Sequence, residues 1–302
     1  MKMAETASKA TGLRNTLVDV EFVRERLGDL IVLDVRHQLS DPAWGEAAYR
    51  EGHLPGALFV HLDRDLSGPV TGSNGRHPLP GREAFRQFIA GLGIDGSRQV
   101  VVYDQDVGGF AARLWWMLNK WLGLDCAALL DGGMAAWKQA CLQLESAEIP
   151  EQARLAASAM AAAGEPLSPV ITMAQVRANI ETPGFLVVDA RGAERYRGEV
   201  EPMDAVAGHI PGALNRPFPA NMAPDGRFKS PDALRREWLE LLNGREPHDV
   251  VHHCGSGVTG CHNVLAMEHA GLSGSRIYSG SWSEWCTHPE NPMVVGPAST
   301  AR

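Results

Sequence analysis

The sequence predicts two consecutive α/β domains, each with a mostly parallel sheet covered by helices on both faces. The chain has 302 residues, which is enough for two domains of ordinary size. Motifs of the first half return in the same order in the second half. Within each half, short apolar runs typical of buried strands alternate with segments whose apolar residues recur at helical spacing, as expected for a parallel sheet connected by helices.

The internal repeat covers most of each half. The matched pairs are LIVLDVR (30–36) with FLVVDAR (185–191), EGHLPGALFV (51–60) with AGHIPGALNRPF (207–218), and LLDGGMAAW (129–137) with IYSGSWSEW (277–285). Their spacing changes by only a few residues, which indicates duplication of a whole domain rather than a solenoid of short units. We therefore predict an N-terminal domain over 13–145 and a C-terminal domain over 169–296. The alanine- and proline-rich stretch 146–168 is the predicted linker.

The strands and helices follow from local patterns. The strand candidates are IVLDV, QVVVYD and CAALLD in the first half and LVVDA, DVVHHC and SRIYSG in the second. EAFRQFIAGLG and DALRREWLELLNG are predicted helices, because their apolar residues share one face and each segment ends in glycine, a common helix stop. In parallel sheets of this kind, ligands bind beyond the carboxyl ends of the strands.

Composition excludes several classes of function. The formal net charge of −8 argues against nucleic-acid binding, because no basic excess is present to neutralise phosphates, although one or two local arginines suffice for a small anion. No apolar run reaches membrane-spanning length, and the N-terminal stretch lacks the apolar core of a secretory signal. The five cysteines have no compact disulfide spacing. We expect a cytoplasmic protein with free thiols and no membrane or nucleic-acid partner.

Equivalent strands of the two halves end in different groups. VVYD ends at Asp104, whereas its counterpart VHHC ends at Cys254, and both lead into a helical pattern. In the loop CGSGVT, Gly255 and Gly257 allow the backbone to curl so that N–H groups converge on one point, and the following helix adds its positive end. Such a loop favours a thiolate and accommodates a persulfide. An inert cysteine in a glycine turn is the structural alternative, but only one half has the cysteine at this edge.

Two other chemistries are alternatives for the same stretch. A zinc site would use His252, His253, Cys254, Cys261 and His262. The cysteine spacing differs from paired zinc knuckles, and adjacent histidines on a strand point to opposite faces, so we expect no metal. A cysteine phosphatase would need an arginine six positions after the nucleophile, where this chain has Gly260. A third alternative is a non-catalytic regulatory or sulfur-carrier binding module, against which the retained cysteine argues.

Over nearly its whole length the sequence resembles the tandem-domain rhodanese-family sulfurtransferases. The motifs that carry the resemblance are DVR and DAR, GHLPGA and GHIPGA, the paired LLDGG–W and YSGS–W ends, and CGSGVT over 254–259. This last loop resembles that of the 3-mercaptopyruvate sulfurtransferases, because thiosulfate-preferring relatives have bulkier basic residues after the cysteine. The resemblance implies transfer of sulfane sulfur from 3-mercaptopyruvate, or alternatively thiosulfate, to cyanide or a thiol such as thioredoxin or glutathione, without a cofactor.

The resemblance also implies roles for individual residues. Cys254 would be the nucleophile that becomes a persulfide, and Ser256 would act on the substrate in a relay with His77 and Asp63. The remaining loop residues, implied to bind the donor, are Gly255, Gly257, Val258 and Thr259.

Recognition of the donor anion is implied for Arg195, since arginine binds carboxylates through two parallel hydrogen bonds. Many mercaptopyruvate enzymes have a second arginine where this chain has Met203, and Arg197 is the candidate substitute.

Other repeated or clustered residues are expected to be structural. The Asp–Arg pairs of DVR and DAR occur in both halves, including the half without a thiol, so we interpret them as structural ion pairs. His53 and His209 recur likewise and are expected to hydrogen-bond near a turn. Trp115, Trp116 and Trp121 are predicted to be core or interface residues. For Cys261 we prefer a packed helix residue to a resolving thiol.

Overall fold

The computed structural model describes residues 12–146, 166 and 170–297, which form two compact units. Described residues 12–61, 82–146 and 166 belong to the first unit, and 62–81 and 170–297 belong to the second. The segment 62–81 thus lies in the second unit, although the sequence places it within the predicted first domain. Of the predicted linker, only Ser146 and Pro166 lie among the described residues.

The strands and helices of the described residues are labelled in chain order. The strands are β1 (Leu17–Val18), β2 (Ile31–Asp34), β3 (Leu58–Phe59), β4 (Val100–Tyr103), β5 (Ala127–Leu130), β6 (Leu186–Asp189), β7 (Leu214–Asn215), β8 (Val250–His253) and β9 (Arg276–Ile277). The helices are α1 (Val20–Arg26), α2 (Trp44–Glu51), α3 (Leu62–Asp65), α4 (Arg82–Gly91), α5 (Ala111–Trp116), α6 (Gly133–Gln139), α7 (Met173–Glu181), α8 (Ala193–Arg197), α9 (Pro231–Leu242), α10 (Gly260–His269) and α11 (Ser281–Trp285). Short 3₁₀ turns cover Leu27–Asp29, Phe218–Asn221 and Pro247–Asp249, and a π turn covers Met117–Trp121.

Each unit is built on one sheet, and the strand pairs within each sheet are parallel. The order is β1-β5-β4-β2-β3 in the first unit and β7-β6-β8-β9 in the second. The predicted α/β class with parallel sheets is confirmed. Strand β8 precedes the predicted site at Cys254, and β4 precedes the equivalent loop at Asp104. Each of these two strands lies between two neighbouring strands of its sheet. Such a central position buries the strand and directs the loop after it to the ligand-binding edge.

The interiors of the units are formed by aliphatic strands and large aromatic residues. Trp115 and Trp116 are fully buried and Trp121 is nearly so, as expected for packing rather than for a binding platform. In the second unit Trp238, Trp282 and Trp285 are fully buried. None of the helices in the described ranges has the length and hydropathy needed to cross a membrane.

The repeated Asp–Arg motifs form the same buried ion pair in each unit. Arg36 lies 2.7 Å from Asp34 and also donates to the Gly52 carbonyl. Its counterpart Arg191 lies 2.7 Å from Asp189 and donates to the Gly208 carbonyl. Each arginine therefore connects a strand end to the repeated GH turn of its own half, and the structural interpretation is confirmed.

The two repeated histidines also share a structural role. His53 stacks on the Tyr49 ring and its Nδ1 lies 2.7 Å from the Tyr49 carbonyl. His209 stacks on the Tyr196 ring and its Nδ1 lies 2.8 Å from the Tyr196 carbonyl. These contacts join the GH turn to the preceding helix, which agrees with the predicted hydrogen-bonding role.

Candidate active site

The loop between β8 and α10 contains the predicted nucleophile. Cys254 follows β8 directly and is buried. Its N–H donates to Ser281 Oγ at 3.1 Å, and its carbonyl accepts the Trp282 N–H at 3.0 Å. The next carbonyl, that of Gly255, accepts the Ser283 N–H at 2.8 Å. The first residues of α11 therefore hold the backbone on both sides of the cysteine.

A left-handed glycine shapes this loop. Gly257 has φ +78°, and a Cβ on it would lie 2.1 Å from the Ser279 carbonyl oxygen. Any other residue would clash with the backbone there, so this turn requires glycine. Among the described residues, the N–H groups of Ser256 and Val258 donate to no protein acceptor. Buried N–H groups of this kind bind anions, including a thiolate or a persulfide.

Three residues predicted to act as a relay lie in hydrogen-bonding order beside the loop. Ser256 Oγ is 2.7 Å from His77 Nδ1, and His77 Nε2 is 3.1 Å from Asp63 Oδ1. Ser256 and His77 are buried, whereas the Asp63 side chain is 42% exposed. A serine connected through imidazole to a carboxylate can exchange a proton with a substrate atom.

The segment 62–81 brings His77 to this position through its own contacts within the second unit. The Gly68 N–H donates to the Pro78 carbonyl at 2.8 Å, closing the segment into a loop. Gly75 has φ +84° and approaches the first turn of α11, where its Cβ position lies 2.9 Å from the Gly280 carbonyl oxygen. The Arg76 N–H donates to Ser283 Oγ at 3.0 Å. The same helix thus supports both the cysteine loop and the histidine.

Arg195 on α8, the residue predicted to bind the donor anion, lies beside the cysteine loop. Its Nη1 is 3.5 Å from the position that a Cβ would take on Gly255. On its other side it donates to both Glu201 oxygens, at 3.2 and 2.7 Å. Burial alone would raise the pKa of Glu201, but the hydrogen bonds from Arg195 and from the Met203 N–H keep this pKa below its usual value. The arginine is therefore held by a charged partner and presents one amino group to the loop.

The other two positions implied in anion recognition, Arg197 and Met203, have different partners from those of Arg195. Arg197 donates to Glu199 through Nε and Nη2, at 2.7 and 2.8 Å. Within the described ranges no contact joins it to the loop of Cys254. Met203 is exposed and supplies only its backbone N–H, to Glu201.

Sequence reasoning missed Arg76, which lies directly against the cysteine loop. Its Nη2 is 2.8 Å from the Cβ position on Gly255, and its Nη1 forms an ion pair with Asp204. The only signal in the sequence is its place next to His77 in GRHPLPG. Ser281 and Ser283 were also missed, because no sequence pattern connects them to the backbone of the loop.

The residues of the rejected zinc site have separate partners. His252 Nε2 lies 3.2 Å from Met267 Sδ, and burial lowers the pKa of His252 to about 3. His262 stacks on Phe228, and the buried Cys261 thiol donates to the Gly257 carbonyl at 3.5 Å. In the part of the chain that the structure describes, no close group of three candidate ligands includes any of the five residues. The packing of Cys261 agrees with the predicted helix residue.

A family model for the rhodanese-like domain matches residues 19–140 and again residues 172–288. The chain belongs to the rhodanese-like domain family. Each match covers one half of the repeat, so the predicted duplication corresponds to two copies of this domain.

Relatives of this rhodanese-like protein are similar over nearly their whole length. A probable 3-mercaptopyruvate sulfurtransferase from Pseudomonas aeruginosa is 47% identical over 274 residues, covering 89% of this chain and 93% of the relative. The human 3-mercaptopyruvate sulfurtransferase is 35% identical over 283 residues, covering 87% and 90%. A putative thiosulfate sulfurtransferase from Mycobacterium tuberculosis is 38% identical over 275 residues, covering 88% and 91%.

Solved structures agree with this assignment. The 3-mercaptopyruvate sulfurtransferase from Leishmania major superposes with a TM-score of 0.79 at 31% identity, covering 92% of this chain and 75% of that one. The corresponding enzyme from Escherichia coli gives a TM-score of 0.73 at 29% identity, covering 90% and 100%. The prediction of a tandem-domain rhodanese-family sulfurtransferase is confirmed.

Proposed function

We propose that this sulfurtransferase moves a sulfane sulfur from 3-mercaptopyruvate to cyanide or a thiol through a persulfide on Cys254. The observation that carries the proposal is the hydrogen bond of 2.7 Å between Ser256 and His77, which supports a proton relay two residues after the cysteine. The loop lacks the bulky basic residues of thiosulfate-preferring relatives, and this favours a carboxylate donor. The activity is proposed to be cytoplasmic, with thioredoxin or glutathione as thiol acceptors.

In the first step, the Cys254 thiolate attacks the sulfur of the donor. A sulfur–sulfur bond forms while the carbon–sulfur bond breaks, and its electron pair stays on carbon as the enolate of pyruvate. The Ser256 hydroxyl donates a proton to that carbon and recovers one from His77, whose other nitrogen faces Asp63. The donor hydrogen remains on the transferred sulfur, so that Cys254 carries a persulfide.

The loop amides stabilise the Cys254 thiolate before the attack and again when it leaves the persulfide. The N–H groups of Ser256 and Val258 are the donors available to it, and Gly255, Gly257 and Thr259 complete the loop. Arg195 binds the donor carboxylate, and Arg197 stays a lesser candidate because its guanidinium pairs with Glu199. In the second step, an acceptor thiolate attacks the outer sulfur and the Cys254 thiolate leaves, or cyanide does so and forms thiocyanate.

Thiosulfate is the alternative donor for the same cysteine. The relative from Mycobacterium tuberculosis bears a thiosulfate sulfurtransferase name and is 38% identical to this chain. Thiosulfate leaves as sulfite and requires no carbon protonation, so it makes little use of the relay. A side-by-side comparison of kcat/KM for the two donors distinguishes the proposals.

Mass spectrometry tests the covalent step. Protein treated with 3-mercaptopyruvate alone should gain one sulfur on Cys254, and addition of cyanide should remove it with formation of thiocyanate. Initial rates should show ping-pong kinetics. If Cys254 stays unmodified after incubation with 3-mercaptopyruvate and also after incubation with thiosulfate, the persulfide mechanism is excluded. A non-catalytic binding module is then the alternative.

A further inference from the structure

We propose that Arg76 is a second donor-binding arginine, which acts with Arg195 on the carboxylate of a 2-oxo acid donor. This inference rests on the proposed function and adds a specificity residue to its site. Arg76 lies in the segment 62–81, far from Arg195 and Cys254 in sequence.

The two guanidinium groups flank the residue that follows the nucleophile. Measured from the Cβ position on Gly255, Arg76 Nη2 is at 2.8 Å and Arg195 Nη1 is at 3.5 Å. Within the described residues, neither of these two amino groups has a protein acceptor. Both can therefore donate to a ligand that lies over the loop, next to Cys254.

Asp204 makes this pairing of cations possible. Two guanidinium groups at such close range repel each other unless an anion lies between them. One Asp204 oxygen pairs with Arg76, and the other lies 3.3 Å from Arg195 Nη2. The carboxylate thereby offsets the repulsion and directs the remaining N–H groups of both arginines toward Gly255.

The contacts of Arg76 differ from those of an arginine that serves stability alone. The backbone of the segment is already held by the Arg76 N–H on Ser283 and by His288 Nε2 near the Ser73 carbonyl at 3.1 Å. The Arg76 Nε is buried and has no hydrogen-bond partner in the described part of the chain. Leaving a buried donor unsatisfied costs stability, so the position of this guanidinium is better explained by ligand binding.

The chemistry of the donor explains why two arginines are useful. One guanidinium can bind both carboxylate oxygens, and the second can bind the outer side of one of these same oxygens. With Met203 uncharged and Arg197 paired to Glu199, Arg76 supplies the second cation from another part of the chain. This arrangement favours a flat 2-oxo carboxylate over a donor without a carboxylate.

The test compares two donors that differ only in the carboxylate. Arg76→Met should raise KM for 3-mercaptopyruvate by about 10- to 100-fold, the loss expected for one charged hydrogen-bonding group. The KM for mercaptoacetone, which has a methyl group in place of the carboxylate, should stay within about 2-fold of wild type, because no charged hydrogen bond is lost. Arg76→Lys should recover part of the loss. Arg177→Met removes an exposed arginine of the same unit, 3.9 Å from Glu290, and should change neither constant.

Equal losses with both donors would show that Arg76 only supports the fold around His77 and would overturn the proposal. Titration of each variant with pyruvate gives an independent result, because binding of this 2-oxo acid needs no sulfur transfer. Arg76→Met should weaken pyruvate binding by a factor similar to the change in KM. If wild type binds pyruvate but acquires no persulfide from 3-mercaptopyruvate, the proposed function fails; if pyruvate binding is unchanged in Arg76→Met, this inference fails.

Discussion

The loops after β4 and β8 occupy the same place in their two sheets but use their backbone amides differently. Both have the same support: the Asp104 carbonyl accepts the Met134 N–H at 2.9 Å, as the Cys254 carbonyl accepts the Trp282 N–H at 3.0 Å. In the first loop, the Asp104 carboxylate itself accepts N–H groups of its loop. These donors belong to Asp106, Gly108, Phe110 and Ala111.

The second loop has no such internal acceptor. Cys254 replaces the carboxylate, and the N–H groups of Ser256 and Val258, at the offsets of Asp106 and Gly108, are left without protein partners among the described residues. Burial raises the pKa of Asp104, and the hydrogen bonds from Ala111, Phe110 and Gly108 oppose this shift. The two loops therefore differ in what their amides bind: a carboxylate of the same loop in the first unit, and no protein acceptor for Ser256 and Val258 among the described residues of the second.

Converting the second loop into the first is expected to have the largest effect. Cys254→Asp should reduce sulfur transfer by about 10⁴-fold or more, because the nucleophile is lost. The new carboxylate should accept the loop N–H groups, so the midpoint of urea denaturation should not fall. Thiocyanate formation and tryptophan fluorescence measure the two quantities. Cys141→Ser, at the exposed cysteine, is the matched control, and retained turnover in Cys254→Asp would contradict the role of the thiol.

Removing the Ser256 hydroxyl from the second loop tests the proposed proton relay. Ser256→Ala should lower kcat for 3-mercaptopyruvate by about 100-fold, the lower range for loss of a proton donor. The loss with thiosulfate should be smaller, because sulfite departs without protonation of carbon. Single-turnover kinetics with each donor measure the difference, with Ser273→Ala in an exposed loop as control. Equal losses for the two donors would exclude the proposed relay.

The first loop should respond in stability and not in catalysis. Asp104→Ala removes the acceptor of several buried N–H groups and should lower the free energy of unfolding by about 2–3 kcal/mol. The values of kcat/KM should stay within about 2-fold, since no reacting group is lost. Asp106→Ala, at an exposed neighbouring carboxylate, should cost less than about 0.5 kcal/mol. A change in KM with unchanged stability in Asp104→Ala would instead indicate a ligand site in the first unit.

The smallest expected effect concerns a serine that occurs where the first unit has glycine. Ser281 has φ +57°, like Gly133 with φ +53°, and its Oγ accepts the Cys254 N–H. Ser281→Gly should lower kcat by about 5-fold through looser positioning of the cysteine, while Tm changes little, because relief of the backbone strain offsets the lost hydrogen bond. Unchanged kcat together with a lower Tm would make this serine purely structural.

Several parts of the site could be predicted from local sequence. The β-strand pattern of DVVHHC and the glycines of CGSGVT place Cys254 at a strand-to-helix turn, and the repeat shows that its counterpart is Asp104. Arg195 follows from the resemblance of its motif, as do Ser256 and, less directly, His77. The supporting serines Ser281 and Ser283 have no such signal, because they act through single hydrogen bonds to backbone atoms of a distant loop.

By itself, the sequence determined the duplication, the α/β class and the family, because each depends on periodicity or on contiguous motifs. Only the tertiary structure decided that residues 62–81 join the second unit and bring Asp63, Arg76 and His77 to the cysteine loop. Contacts such as the approach of Gly75 to α11 depend on the shape of a folded surface, which leaves no regular spacing in the chain. The same reason explains why the sequence pointed to Arg197 as the substitute for Met203 and not to Arg76, which contacts the cysteine loop from beside His77.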